Sequence, residues 1–174
     1  MAAKKRFKTL GEWCKHYKLE KYEKVFIRHG FDQVDFIGED LMSSGDLDIM
    51  GIKEASAKEL IMNALKATGN SKGSSSRGLE GQLQDDNGNS LTVEEWLSSI
   101  SLHDEYTKSF EANLYTGMDR VIAIWDDELT SILDIEKIGH RKRILLSLAG
   151  RDGMPHRFGK VQVNKQLTSK YTNS

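Results

Sequence analysis

The 174-residue sequence contains one cysteine, one proline and no long apolar run, and each shortage excludes a class of protein. With Cys14 alone the chain can form neither an internal disulfide nor a cysteine-rich metal site, which favours a reducing compartment. No window approaches the roughly 18 apolar residues of a membrane span, and no apolar stretch follows the charged N-terminus. We therefore expect no membrane helix and no signal peptide, and an intracellular, cytoplasmic location.

Net charge is also nearly absent, because 25 Lys+Arg residues oppose 26 Asp+Glu residues and leave -1. This balance disfavours a general polyanion binder and an acidic tail protein. It hides local differences: residues 1–8 carry +4, 9–68 carry -3, 69–90 carry -1, 91–150 carry -5 and 151–174 carry +4. Charge is therefore informative segment by segment rather than as a total.

Residues 69–90, GNSKGSSSRGLEGQLQDDNGNS, show no hydrophobic period and predict a flexible linker of 22 residues. This linker separates two stretches of similar length, 9–68 and 91–150, which we call block one and block two. Residues 1–8 form a basic N-terminal segment. Residues 151–174 contain the proline but no apolar stripe, so we expect a mobile basic tail.

The two blocks repeat each other. Block one opens with TLGEWC at 9–14 and block two with TVEEWL at 92–97, and in each opening a threonine and the glutamate three residues later can form a capping box. The apolar spacing after both openings is helical and predicts about five short helices per block, the last being the longest. Further aligned pairs are Tyr22 with Tyr106, Phe26 with Phe110, Ser56 with Gly139 and Leu65 with Leu148. The prediction is an all-α chain of two five-helix bundles.

Residues that carry catalytic chemistry are sparse. The five histidines lie without metal-ligand spacing, at His16, His29, His103, His140 and His156. The linker glycines lack the strand and helix that flank a phosphate-binding loop. Cys14, Trp13 and Trp96 fit core positions better than a reactive or ligand-binding site. We expect no enzyme activity, no cofactor, no metal and no small-molecule substrate.

Several phrases carry a resemblance to a known family. A tryptophan in the first helix, an LxxYxxxF phrase, which has one inserted residue before the tyrosine in block two, and a GI or DI before the last helix make both blocks resemble sterile alpha motif (SAM) domains. GHRKRIL at 139–145 is similar to the start of the last helix in many SAM domains, whereas block one reads ASAKEL at 55–60. HGFDQVDFIG at 29–38 and IWDDEL at 124–129 resemble the tandem SAM region of Odin/AIDA-type adaptors, which carry ankyrin repeats before the pair and a phosphotyrosine-binding domain after it.

The resemblance implies a docking mode. In SAM domains the basic start of the last helix, the end-helix surface, docks on the acidic middle of a neighbour, the mid-loop surface. In block two the end-helix surface comprises Gly139, His140, Arg141, Lys142 and Arg143. In block one the mid-loop surface comprises Asp32, Asp35, Glu39, Asp40, Asp46 and Asp48. A second acidic surface lies in block two, at Asp119, Asp126, Asp127 and Glu128.

The charges themselves favour an anionic partner for the end-helix surface. Each positive group at a helix N-terminus is disfavoured by about 0.3–1 kcal/mol, and an anion there would remove that repulsion. The linker has a typical span of roughly 26 Å, which permits docking within one molecule. We predict that the end helix of block two docks on block one in the same chain, with Lys142 and Arg143 as its most exposed part.

The interpretation leaves other partners open. The resemblance implies another SAM domain, in cis and in trans, such as an Eph-receptor-like SAM domain. RNA or phosphate binding through the basic start at 140–143 is an alternative, although the -5 charge of block two opposes it. A third hypothesis assigns a targeting role to His140, Arg141, Lys142 and Arg143, or to the bases at 4–6. Either run would act as a nuclear-import signal or as a patch that binds acidic membranes. Docking on block one would mask an import signal at 140–143.

Overall fold

The computed structural model describes residues 7–68 and 91–148, and every regular element within these ranges is helical. Block one contains α1 (Leu10–His16), α2 (Glu23–Arg28), α3 (Ser44–Ile49) and α4 (Ala55–Thr68), with 3₁₀ turns at Glu20–Tyr22 and Val34–Phe36. Block two contains α5 (Val93–Ser99), α6 (His103–Ala112), α7 (Met118–Ile122), α8 (Asp126–Ser131) and α9 (Ile138–Leu148). Over these ranges no helix is long and apolar enough to cross a membrane.

The predicted all-α architecture of two bundles is confirmed over the described ranges. Block two has the predicted five helices, whereas block one has four α-helices, with the 3₁₀ turn Val34–Phe36 in place of α7. The backbone becomes extended at Ile37, so this turn does not continue into a helix. The linker at 69–90, the tail at 151–174 and most of the segment at 1–8 lie outside the described residues.

The first helix of each block begins at the predicted threonine. Thr92 accepts from the N–H of Glu95, whose carboxylate accepts from the N–H of Thr92, so the capping box is complete. Thr9 likewise accepts from the N–H of Glu12, but the Glu12 carboxylate accepts from the N–H of Lys8 at 2.9 Å. The predicted second half of that box is therefore displaced by one residue.

Each block encloses its own apolar core. The tryptophan of the first helix is at the centre in both, with Trp13 0% and Trp96 1% exposed. The indole N–H of Trp13 donates to Thr68 Oγ1 at 2.7 Å, and that of Trp96 donates to Ser147 Oγ at 3.0 Å. In both blocks the first helix is thus joined to the last, which fixes the orientation of α4 and α9.

Cys14 lies in the core of block one, as expected of an inert thiol. Burial, with smaller contributions from the charges of Glu23 and Glu20, raises the pKa of this thiol to about 12. The reactive thiolate is therefore scarce at neutral pH.

Candidate protein-interaction site

The two blocks meet where the start of α9 lies against the end of α2. The N–H of Gly139, in the first turn of α9, donates to the carbonyl oxygen of His29 at 2.8 Å, and His29 is the residue that ends α2. The N–H groups of a first helical turn have no acceptor within their own helix. The contact satisfies one of them and brings opposite poles of two helix dipoles together.

Two glycines allow this close approach. A Cβ atom on Gly139 would lie 2.5 Å from the carbonyl carbon and oxygen of Gly30, and one on Gly30 would lie 2.5 Å from Cδ2 of His140. Gly30 also has a φ of +84°, which favours glycine on its own. Gly139 was a predicted site residue and Gly30 was not, although a glycine that directly follows a stretch of helical spacing indicates a left-handed position.

Arg143 is the centre of the contact and is 0% exposed. Its guanidinium donates from Nη2 to Asp32 Oδ1 at 2.5 Å and to the Gly30 carbonyl at 3.2 Å. From Nη1 it donates to the carbonyl of Ile100, in its own block, at 3.3 Å. The guanidinium carbon lies 4.6 Å from the ring centre of Phe36, a cation–π distance. Arg143 was predicted, with Lys142, to be the most exposed part of the end-helix surface; in the structure it is instead enclosed between block one and the Ile100 carbonyl of block two.

Asp32 is the acidic counterpart of this arginine. Burial alone would raise the pKa of its carboxyl, but the neighbouring His140 imidazole and Arg143 guanidinium outweigh that effect and hold the pKa well below its ordinary value. The carboxylate therefore stays ionised at neutral pH. Its contribution to stability is present above the ordinary carboxyl pKa of about 4 and is lost only as the pH falls below it.

Lys142 contacts block one through Asp46, whose carboxylate accepts from its ammonium group. The Lys142 side chain is 15% exposed, so it too is more covered than expected. The same Asp46 carboxylate accepts from the backbone N–H of Ser43 at 2.6 Å and from its hydroxyl at 2.7 Å, completing the capping box of α3. Asp46 is therefore held in place by its own helix before it meets the lysine.

His140 is also fully buried at the contact. Its Nδ1 lies 2.8 Å from the hydroxyl oxygen of Tyr106 and 3.3 Å from a carboxylate oxygen of Glu105, both in α6. Its Nε2 lies 3.6 Å from Asp32 Oδ1 and has no hydrogen-bond partner among the described residues. The imidazole thus stands between one block-two carboxylate and one block-one carboxylate.

Asp32, Glu105 and His140 offer ligand atoms that lie within 4.8 Å of one another, a spacing that a metal ion could use. Both carboxylates already have cationic partners, since Asp32 binds Arg143 and Glu105 accepts from Lys137 at 3.1 Å. A further cation here would face two positive groups. We interpret the trio as part of a charge network.

Apolar side chains surround these charges. Ile138 and Leu146 of α9 are partly buried against the core of block one. Phe36 of block one packs against the cores of both blocks. None of the three was a predicted site residue, because an apolar side chain in a helical stripe has the same sequence pattern whether it faces its own core or a neighbour.

Arg141 belongs to the predicted end-helix surface but contacts its own block. Its Nε donates to Asp126 Oδ1 at 3.0 Å, and its Nη1 donates to the carbonyls of Ile135 and Glu136, both at 2.8 Å. Successive helical residues are about 100° apart, so Arg141 projects from a different side of α9 than its neighbours. Arg141 therefore holds the loop before α9 in place, and its predicted role as a docking residue is wrong.

The second acidic surface of block two divides into paired and exposed residues. Asp126 is paired with Arg141, and Glu128 accepts from the guanidinium of Arg120 at 3.2 Å. Asp119 and Asp127 are exposed. The other predicted mid-loop residues divide similarly: Asp48 pairs with Lys58 of α4, Asp35 and Asp40 are exposed, and Glu39 is half-buried.

Comparisons with known proteins agree with the repeat. The family model described as SAM domain (Sterile alpha motif) matches residues 3–68 and again residues 86–151. The chain is 36% identical over 143 residues to ankyrin repeat and sterile alpha motif domain-containing protein 1B of Danio rerio, covering 82% of the chain and 10% of that protein. It is 33% identical over 165 residues to ankyrin repeat and SAM domain-containing protein 1A of Homo sapiens, covering 92% of the chain and 14% of that protein.

The chain thus spans a small part of these two curated relatives, and the likeness concerns that part. SAM domains are non-catalytic domains that bind proteins. With two family matches over most of its length, the chain belongs to the sterile alpha motif family, as a tandem pair of protein-interaction domains.

Proposed function

We propose that this SAM pair is the interaction module of an adaptor, and that its two domains dock on each other within one molecule. The end-helix surface of block two takes the mid-loop surface of block one, through Gly139, His140, Lys142 and Arg143. The observation that carries the proposal is Arg143: it is 0% exposed, and it donates to Asp32 and to the Gly30 carbonyl across the contact. A guanidinium without such partners would remain in water.

The contact combines two charge pairs with an apolar margin. Removing one partner of a buried ion pair costs about 3–5 kcal/mol, because the other charge stays buried without compensation. The Arg143 guanidinium also meets the carbonyl end of α2 and the face of Phe36, which both favour a cation. Ile138 and Leu146 add apolar burial.

Docking within one molecule is favoured by concentration. Tethered partners meet at an effective concentration of about millimolar order, so even a micromolar contact would be mostly closed. An external SAM domain, such as an Eph-receptor-like one, would have to compete with α9 for the mid-loop surface of block one. The intramolecular contact thereby sets a threshold that a partner in trans must exceed.

Charge reversal tests the proposal. In the variant Lys142→Glu/Arg143→Glu, two anions would face Asp46 and Asp32, so we expect the pair to open and its radius of gyration in small-angle X-ray scattering to increase. The matched control is Lys66→Glu/Lys108→Glu, which changes the same total charge at two exposed positions, one in each block. Scattering dimensions that stay at the wild-type value in the first variant would contradict intramolecular docking.

A second candidate function concerns localisation. In the docked pair His140 and Arg143 are fully buried and Lys142 is mostly covered, so a nuclear-import signal at 140–143 would be hidden. We propose that opening the pair exposes it. The test compares the nuclear fraction of a fluorescent fusion in the wild type and in Asp32→Lys, which leaves all four bases intact; equal fractions in folded, opened protein would exclude the idea.

A further inference from the structure

Block two has a position equivalent to Gly30, and a leucine occupies it. Gly30 and Leu114 each follow the residue that ends the second helix of their block. The N–H of Gly30 donates to the Ile27 carbonyl at 3.1 Å, and that of Leu114 donates to the Glu111 carbonyl at 3.0 Å. Both residues have a left-handed backbone, with φ of +84° and +63°. The two are structural counterparts.

Leu114 is an unfavourable choice for this backbone. A left-handed φ places the Cβ atom of an L-residue too close to the neighbouring carbonyl, whereas glycine adopts it without that penalty. The side chain is 79% exposed, so little core packing compensates for the strain. A strained residue that packs on almost nothing is a reason to look for a role outside its own fold.

At three other positions that contact α9 in block one, the block-two counterpart is also less suited to bind an end helix. Asp32, two residues after Gly30, corresponds to Thr116. Phe36 corresponds to Arg120, since the N–H of each donates to the carbonyl three residues earlier, at 3.1 Å in both blocks. Asp46 corresponds to Glu128, the third residue of its own capped helix, but Glu128 is already paired with Arg120.

We propose that Leu114 is a specificity-determining residue that keeps end helices such as α9 off block two, so that the SAM–SAM contact forms once per chain and does not propagate. The inference rests on the proposed function above. An α9 docked on block two in the observed way would place His140 against the Leu114 side chain, because even a lone Cβ on Gly30 would lie 2.5 Å from Cδ2 of His140. Arg143 would then face Thr116 and Arg120, where it now finds Asp32 and Phe36.

The remaining end of the pair is mismatched as well. By the repeat alignment, α4 places Ser56 at the position of Gly139, Glu59 at that of Lys142 and Leu60 at that of Arg143. Glu59 would therefore approach the acidic Glu128, and Ser56 would add a Cβ at the crossing point. Head-to-tail contacts that repeat produce open filaments, and here both unused surfaces lack the groups that the used ones have.

The experiment first releases α9 from block one and then measures whether the released helix binds block two of another molecule. Gly30→Leu, on the whole chain, places the block-two residue in block one and opens the pair; Leu114 itself shows that this fold accommodates leucine there. With block two unchanged, we expect the opened chain to sediment as a monomer at two concentrations about twentyfold apart. Adding Leu114→Gly/Thr116→Asp/Arg120→Phe gives block two the glycine, the acid and the ring, and also releases Glu128.

In that grafted chain we expect the weight-average mass to increase at least about twofold over the same range, as a free α9 meets a suitable surface in trans. Lys142→Glu should abolish the increase. Association of the opened chain with native block two, if sensitive to Lys142→Glu, would overturn the proposal, and so would a folded graft that stays monomeric. Should circular dichroism show the graft unfolded, Leu114→Gly alone must produce a smaller concentration-dependent increase, or the proposal fails.

The two proposals fail differently. If scattering shows that Gly30→Leu and the independent pair Asp32→Thr/Phe36→Arg both keep the wild-type dimensions, intramolecular docking is refuted at the outset. If both open the chain, docking stands, and the sedimentation result alone decides the role of Leu114.

Discussion

Block one and block two share a fold but present different chemistry after their second helix. Block one has a glycine, an acid and an aromatic ring there, and the described structure seats α9 on them; block two has Leu114, Thr116 and Arg120. The second helix and the left-handed turn that follows it are common to both. In the docking that we propose, pairing is therefore decided by a few side chains on a common scaffold, rather than by the scaffold itself.

The two blocks also differ in how their acidic residues are neutralised. Block two is the more acidic, with -5 against -3, yet its acids Asp126 and Glu128 are neutralised by arginines of the same block. In block one Asp32 and Asp46 have cationic partners from across the contact. What matters for docking is thus where the compensating cation comes from, and a count of charges cannot show it.

The largest expected effect comes from replacing Arg143 of α9 by leucine, the residue that α4 has at the equivalent position, Leu60. Arg143→Leu would leave Asp32 and the Gly30 carbonyl facing an apolar side chain, weakening the contact by about 3–5 kcal/mol. We expect a larger radius of gyration by scattering. The reciprocal variant Leu60→Arg changes a 45% exposed site and should alter stability by no more than about 0.5 kcal/mol. Equal behaviour of the two variants would remove Arg143 from the centre of docking.

Next in size is the glycine pair of block one. Gly30 and Gly51 have nearly the same φ, +84° and +82°, so alanine at either should destabilise block one by roughly 1–2 kcal/mol. A Cβ on Gly51 meets nothing within 4 Å, whereas one on Gly30 meets His140. We therefore expect Gly30→Ala, but not Gly51→Ala, to shift the amide NMR signals of α9. Identical shifts with Gly51→Ala would show that backbone strain, not contact, is responsible.

An effect of similar size should distinguish the two hydrogen bonds that anchor the tryptophan side chains. Ser147 is 2% exposed, so Ser147→Ala should leave the indole N–H of Trp96 buried without a partner and cost about 1–3 kcal/mol. Thr68 is half-buried, and water can replace its hydroxyl for Trp13, so Thr68→Ala should cost less than about 1 kcal/mol. Urea midpoints measure both; a reversed order would contradict the burial argument.

The smallest expected change is a gain. Leu114→Gly should stabilise block two by about 1 kcal/mol, because glycine adopts the left-handed turn without strain. Ala112→Gly, two residues earlier at the exposed end of α6, should instead destabilise it by about 0.5–1 kcal/mol. Urea unfolding checks both signs, and a destabilising Leu114→Gly would mean that the leucine packs more than its exposure indicates.

Local patterns predicted the fold well. The threonine caps, the paired tryptophans and the helical spacing act over a few residues, and the structure has helices where they indicate them. The 3₁₀ turn that replaces a fifth helix in block one escaped prediction, since a single turn has too few residues to show a period. The assignment to a family and the docking mode were predicted only from the resemblance to SAM domains, to which the GHRKRIL phrase contributes.

The site was predictable in composition but not in pairing. Arg143 and Asp32 are 111 positions apart, and which acid meets which base depends on an approach that the uncharged Gly30 permits. Arg141 looked equivalent to its neighbours, yet the carbonyls of the preceding loop hold it in block two. Tertiary geometry determines which partner each base has, and the sequence of four consecutive bases gives no information on that geometry.

The hydrogen bond from Gly139 to His29 makes one backbone amide a natural reporter of the contact. Because a first-turn N–H has no acceptor inside its own helix, this amide is protected from deuterium exchange by its partner block. Its exchange rate measures how often the pair opens, while the indole-anchored interior of each block reports complete unfolding. A single exchange experiment on the unmodified protein would therefore separate domain opening from domain melting.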